Sequence, residues 1–138
     1  MLGWSRADAL NVGIVLVAAL AGGVLWPDLP AEVAIHFSAS GTPDSYVPKA
    51  VGVALLPAIM LAVFLFVRMT LRYDPPGDPR VPGVVTVATT GLLGAVHVLV
   101  LAWNAGYPVA LGYLLPGVLV WAALLVGYVY RREGASLS

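Results

Sequence analysis

Sulfur and charge are what this chain has least of. It contains no cysteine, which excludes disulfides, thiolate metal sites and cysteine nucleophiles and leaves the compartment open. Only 10% of its 138 residues are charged, against about 25% in an average soluble domain. Seven cationic and seven acidic residues cancel, so no basic field gathers nucleic acid, and nucleic acid is not an expected partner. A domain of this size has much surface for its interior. A chain that is 60% hydrophobic cannot cover that surface with polar side chains. A lipid bilayer as the surrounding solvent resolves the conflict. Catalytic signatures are missing too. No nucleophile elbow, HExxH, phosphate loop or pair of catalytic carboxylates can be read. No catalytic residue, cofactor or metal is therefore expected.

What is present is four long apolar runs. A membrane-crossing helix needs about 20 mostly apolar residues. The runs from about Ala9 to Trp26, Pro48 to Leu71, Gly83 to Trp103 and Val109 to Tyr130 qualify. WPDLP, YDPPGDPRVP and NAGYP separate them, each rich in residues that break helices. The expected fold is an all-α membrane protein: one integral domain over 1–133, a four-transmembrane helix bundle with a structured outer loop between helices 1 and 2, and a flexible tail at 134–138. Arg6, Arg68, Arg72, Arg80, Arg131 and Arg132 fall on one side of alternating spans, and only Lys49 on the other. The bias places both termini in the cytoplasm and residues 27–47 outside. Trp26, Tyr46, Trp103, Tyr107 and Tyr113 mark the outer interface; Trp4, Tyr73, Tyr128 and Tyr130 mark the inner one. A cleaved signal peptide fits poorly: the first run is long, Asp8 cancels Arg6, and the small residues at 19–21 lie mid-run.

The outer segment concentrates the polar chemistry. Val33, Ile35 and Phe37 alternate with Ala34, His36 and Ser38, the period of a strand with an apolar face packed against the span ends or the outer leaflet. SGTPDS supplies turn residues, and Pro48 suits the first position of a helix. An extended segment, a turn and a helix start are expected. Asp28, Glu32 and His36 are four apart, but the prolines at 27 and 30 argue against one helix through all three, so a metal site is not expected.

WPDLPAEVAIHFSASGTPDSYVPKA resembles the signature of the SdpI-like family of small prokaryotic membrane domains. The resemblance rests on Pro27, Asp28, Pro30, His36, Phe37, Gly41, Asp44, Tyr46 and Lys49. It implies a multi-pass protein of a prokaryotic plasma membrane, without enzymatic activity, acting in immunity to a secreted peptide toxin or in sensing and binding. His36, Phe37, Gly41, Asp44, Tyr46 and Lys49 become the candidate binding motif. Longer SdpI-like proteins carry a second region with an Asn and a Gly-Ile-Arg-Thr-Pro-like stretch, which this chain lacks. Two alternatives stay open. One is a membrane enzyme or lipid-headgroup factor built from converging His36, Asp44 and Lys49. The other is a structural subunit that assembles with a membrane-protein partner or as a homo-oligomer. Either clasp or recognition fits the polar loop: Asp44 could cap the turn or helix start, and Lys49 could pair with a carboxylate or lipid phosphate.

Within the third span, Thr90, Gly94, His97, Leu101 and Asn104 lie on one helical stripe, the pattern of a helix–helix interface. His97 is the ionisable residue of that stripe. Asn11 is too near the inner side to reach it, and Trp121 reads as a mid-span packing residue. Pro57 and Pro116, each in an LLP triplet, suggest two kinked spans related by an internal repeat.

Overall fold

The first helix starts where the sequence offers a reciprocal cap. Ser5 Oγ accepts from the Asp8 amide at 3.1 Å, and the Asp8 carboxylate accepts from the Ser5 amide at 2.9 Å. From there a computed structural model, which describes residues 3–136, carries the chain through α1 (Arg6–Leu25) into a 3-10 turn at Trp26–Asp28 that contains Pro27. A two-stranded antiparallel hairpin follows, β1 (Glu32–Phe37) and β2 (Pro43–Pro48). The rest is helical: α2 (Lys49–Tyr73), α3 (Val81–Asn104), a 3-10 turn at Leu111–Tyr113, and α4 (Leu114–Ser136). All four helices are long and apolar enough to cross a membrane. The chain is thus a multi-pass integral membrane protein in contact with lipid, since helices of this kind satisfy their own backbone groups in hydrocarbon.

Several expected boundaries move. The fourth helix starts at Leu114, so Pro116 lies in its first turn, where the missing N–H has no helical acceptor to serve. It begins α4 and does not kink it. Pro57 lies well inside α2; the two prolines occupy unlike positions, and the suggested repeat loses its basis. Pro48 ends β2 and caps α2 from outside. α4 continues to Ser136, through the first part of the segment expected as a tail; residues 137 and 138 lie outside the described residues.

The core is a three-helix affair. α1, α2 and α3 pack together and bury Ala18, Met60, Phe64, Val81 and Leu101. Glycine sets the spacing at two points. A Cβ on Gly22 would run into the Val53 side chain, and one on Gly52 into that of Val33. α4 stands apart. None of its apolar window is buried, and α3 is the helix it touches. It is fixed at its ends. The Glu133 carboxylate accepts from the amides of Gly77 and Asp78 at 2.9 and 3.2 Å, and Arg132 lies 3.6 Å from Asp78. At the other end, the turn before α4 abuts the tip of the hairpin, where Gly112 meets the Ser40 carbonyl.

At the end of the bundle away from the hairpin, Asp8 is paired with Arg68 of α2. Arg68 Nε and Nη2 reach the two Asp8 oxygens at 2.9 and 3.2 Å, in a largely buried fork. The guanidinium also lies 5.1 Å from the centre of the Trp4 ring. Removing one partner strands the other charge. Asp8→Leu is expected to destabilise the protein by about 3 kcal/mol, and Asp8→Leu with Arg68→Met to recover most of that loss. Unfolding curves in mixed micelles measure both. Equal destabilisation of the single and double variants would show that the pair acts through packing alone.

Candidate functional site

The hairpin carries most of the polar residues singled out in the sequence, and its backbone explains how it sits. Glu32 faces Pro48, Val33 faces Val47 and Ala34 faces Tyr46; a bulge then shifts the register so that His36 faces Ser45 and Phe37 faces Pro43. The bulge breaks the expected alternation. Val33 and Ala34 are both buried, while Ile35 is partly exposed. The second strand was not apparent in the sequence because prolines stand at both of its ends. Both are tolerable there. Ala34 turns its N–H and C=O away from β2, so Ala34–Tyr46 is a non-hydrogen-bonded pair. By alternation Glu32–Pro48 is one too, and Pro48 gives up no ladder bond.

The outward groups of Ala34 are met by Asn104 at the end of α3. Its Oδ1 accepts from the Ala34 amide at 2.8 Å, and its Nδ2 donates to the Ala34 carbonyl at 2.9 Å and to the Val100 carbonyl at 2.8 Å. One side-chain amide therefore serves β1 as a third strand would. Expected as part of a helix-packing stripe, Asn104 instead docks the hairpin onto the helices. Beside it, Phe37 meets Trp103 edge to face, with ring centres 5.2 Å apart.

The other residues of the candidate motif divide by what they touch. Gly41 has φ +86°, and a Cβ there would come within 2.7 Å of the Gly112 amide nitrogen, so this glycine is the tip at which the hairpin meets the turn before α4. Lys49 donates to the Trp26 carbonyl at 3.3 Å and lies 4.4 Å from the centre of the Trp26 ring. Among the described residues it forms no ion pair with a carboxylate, Asp44 included. His36 Nδ1 and Asp44 Oδ1 are 2.6 Å apart across the hairpin, with the side chains 69% and 48% exposed. Asp44 therefore caps neither the turn nor α2. Tyr46 is exposed on β2. Ser38, Ser40 and Thr42 link their hydroxyls in a chain at the tip, with gaps of 2.9 and 3.2 Å.

Lys49 is separated from this His–Asp pair. It lies opposite Ala31, five strand steps from His36, or roughly 16 Å at the rise of a strand. The structure brings His36 and Asp44 together and sets Lys49 against Trp26. Asp28 and Glu32 stand on the 3-10 turn and on β1.

Residues 13–61 match the family model of a domain of unknown function, DUF1648. The DUF1648 stretch takes in most of α1, the whole hairpin and the first half of α2, and every residue of the candidate motif lies inside it. Asn104, Trp103 and Gly112, which hold the hairpin from the far side, lie beyond it. The family description brings no activity with it. No curated protein and no solved structure matches the chain.

In the membrane-spanning part, Thr90, Gly94, His97 and Leu101 are all buried. A Cβ on Gly94 would meet Ile14 of α1 and Met60 of α2 at 3.2 and 3.3 Å. The stripe is thus used in packing within one chain. The His97 ring packs against the Ala18 backbone, and its Nε2 has no hydrogen-bond partner among the described residues. The ring also lines a pocket of about 190 Å³ beneath β1, between α2 and α3. Asn11 is fully buried and donates to the Ala7 carbonyl at 2.9 Å.

Two substitutions test how the hairpin is held. Asn104→Leu strands a buried N–H and C=O and is expected to cost about 3 kcal/mol, with faster amide exchange at Ala34 while the helices stay protected. Unchanged exchange there would mean that the hairpin is held by other contacts. Gly41→Ala forces a side chain into the left-handed region and against Gly112, with an expected loss of about 2 kcal/mol. A melting temperature equal to wild type would count against the contact at the tip.

Proposed function

We propose that the protein is an SdpI-like, non-enzymatic protein of a prokaryotic plasma membrane, with both termini cytoplasmic. Its outward-facing hairpin binds a secreted peptide, as immunity to a membrane-active toxin requires. One observation carries the reading: the His36–Asp44 pair joins the two strands of the hairpin while both side chains stay open to solvent. Gly41, Phe37 and Lys49 are occupied in holding the hairpin to the helices. His36, Asp44 and Tyr46 are left facing water on the same rigid element. With Nδ1–H donating to the carboxylate, His36 is held in one orientation and its Nε2 is free for a ligand. Asp44 keeps a second oxygen for a donor on the same ligand. A tyrosine beside them offers a flat apolar surface with a polar tip, a common anchor for a peptide.

The reading is tested by survival. Cells of a sensitive host expressing the protein are challenged with an SDP-type killing peptide, beside cells carrying His36→Ala/Asp44→Ala at verified equal membrane levels. Protection by the wild type, lost at least about tenfold in the double variant, is expected, in line with two charge-assisted contacts. Protection that survives the substitutions would remove the hairpin pair from the function. No protection by the wild type would remove immunity itself.

A further inference from the structure

A groove of about 1100 Å³ runs between α1 and α3 on the lipid-facing side of the bundle. Ala9, Gly13 and Val17 form one wall, and Gly91, Ala95 and Leu99 the other. Arg6 stands at one end and is the only charged residue in the lining among the described residues. We propose that this groove binds one anionic phospholipid, with the phosphate on Arg6 and an acyl chain laid along the two helices.

Dimensions favour this occupant. Arg6 to Ala18, the α1 residues of the lining, spans twelve residues, or roughly 18 Å at the rise of an α-helix. Half of a hydrocarbon core about 30 Å thick is about 15 Å. The groove therefore runs slightly more than the depth of one leaflet, and its cation falls at headgroup level. Charge favours it as well. Arg6 is exposed and makes no ion pair among the described residues, whereas Arg68 and Arg132 are both paired with carboxylates. A guanidinium can grip a phosphate with two parallel hydrogen bonds.

Two glycines supply a separate observation. A Cβ on Gly94 would press on Ile14 and Met60, so packing within the chain accounts for that glycine. A Cβ on Gly13 or on Gly91 would meet nothing within 4 Å. These two keep open a space that no protein atom fills. A second copy of the chain fits the groove less well. The unburied α4 of a copy crossing in the same direction would bring Arg131 to the depth of Arg6, cation against cation. A phospholipid brings the opposite charge. The site does not depend on the hairpin or on the function proposed for it.

The test uses the full chain in detergent with phosphatidylglycerol or phosphatidylcholine of identical acyl chains, read by native mass spectrometry and by melting temperature. The wild type is expected to retain one phosphatidylglycerol per chain and to melt several degrees higher with it than with phosphatidylcholine. Arg6→Gln is expected to weaken phosphatidylglycerol retention about tenfold, the worth of a charge-assisted contact, and to leave phosphatidylcholine unaffected. Gly13→Leu/Gly91→Leu is expected to reduce retention of both lipids while the melting temperature in lipid-free detergent holds. Equal retention of the two lipids by the wild type overturns the proposal, as does full phosphatidylglycerol retention by Arg6→Gln. Because the chain has no native cysteine, Gly91→Cys gives an unambiguous further readout: efficient crosslinking between copies in native membranes would place protein in the groove and overturn the lipid.

Discussion

A strand laid on the end of a helix bundle has two edges, and each edge carries backbone groups that must be paired or wetted. In this protein the edge of β1 that faces the helices is closed by one side chain. Asn104 offers a donor and an acceptor in the spacing of a peptide group, so Ala34 can be fully buried with both of its backbone groups satisfied. Much follows from that pairing. It brings Val33 down onto Gly52 and sets Phe37 against Trp103. It also directs the hairpin tip toward the turn before α4. Without a partner for Ala34, the same hairpin would have to lift into water, and the apolar floor beneath it would be uncovered.

The polar residues of the chain then sort into two kinds. Some hold the fold together: Asp8 with Arg68, Asn104 with Ala34, Glu133 with the amides of Gly77 and Asp78, Lys49 with Trp26. Each joins segments distant in sequence, where an apolar contact would give adhesion without register. Others stand exposed on the hairpin and bond within it, as His36 does to Asp44 and Ser40 to its neighbours. A rigid scaffold with a small set of unspent polar groups is how binding surfaces are commonly built.

The helices were legible because membrane helices are written in composition, and composition survives without knowledge of partners. The strand period of residues 33–37 was legible too, although the bulge after Ala34 shifted which side chains it buried. β2 was not, because Pro43 and Pro48 read as loop until the register shows that Pro48 sits where no ladder bond is owed. Pro116 looked like a helix kink for want of the true start at Leu114. Asn104 and Asp8 show the deeper limit. Helical phase placed Asn104 on the right stripe, and Asp8 entered the sequence reading only as a charge that offsets Arg6. Their actual partners are 70 and 60 residues away, a distance that no local pattern encodes. His36 and Asp44, eight residues apart, were grouped through a family signature, and only the bulged register accounts for their meeting.

That separation of 70 residues between Asn104 and Ala34 has a meaning in time. A ribosome adding roughly 5–20 residues per second needs about 4–14 s to travel from the strand to the residue that completes its edge. Throughout that interval β1 exists with one side unpaired, in a chain whose third helix has yet to be made. The nascent hairpin is therefore the stage of biogenesis most open to wrong pairing, and the prolines that bracket β2 limit what can attach to its other side.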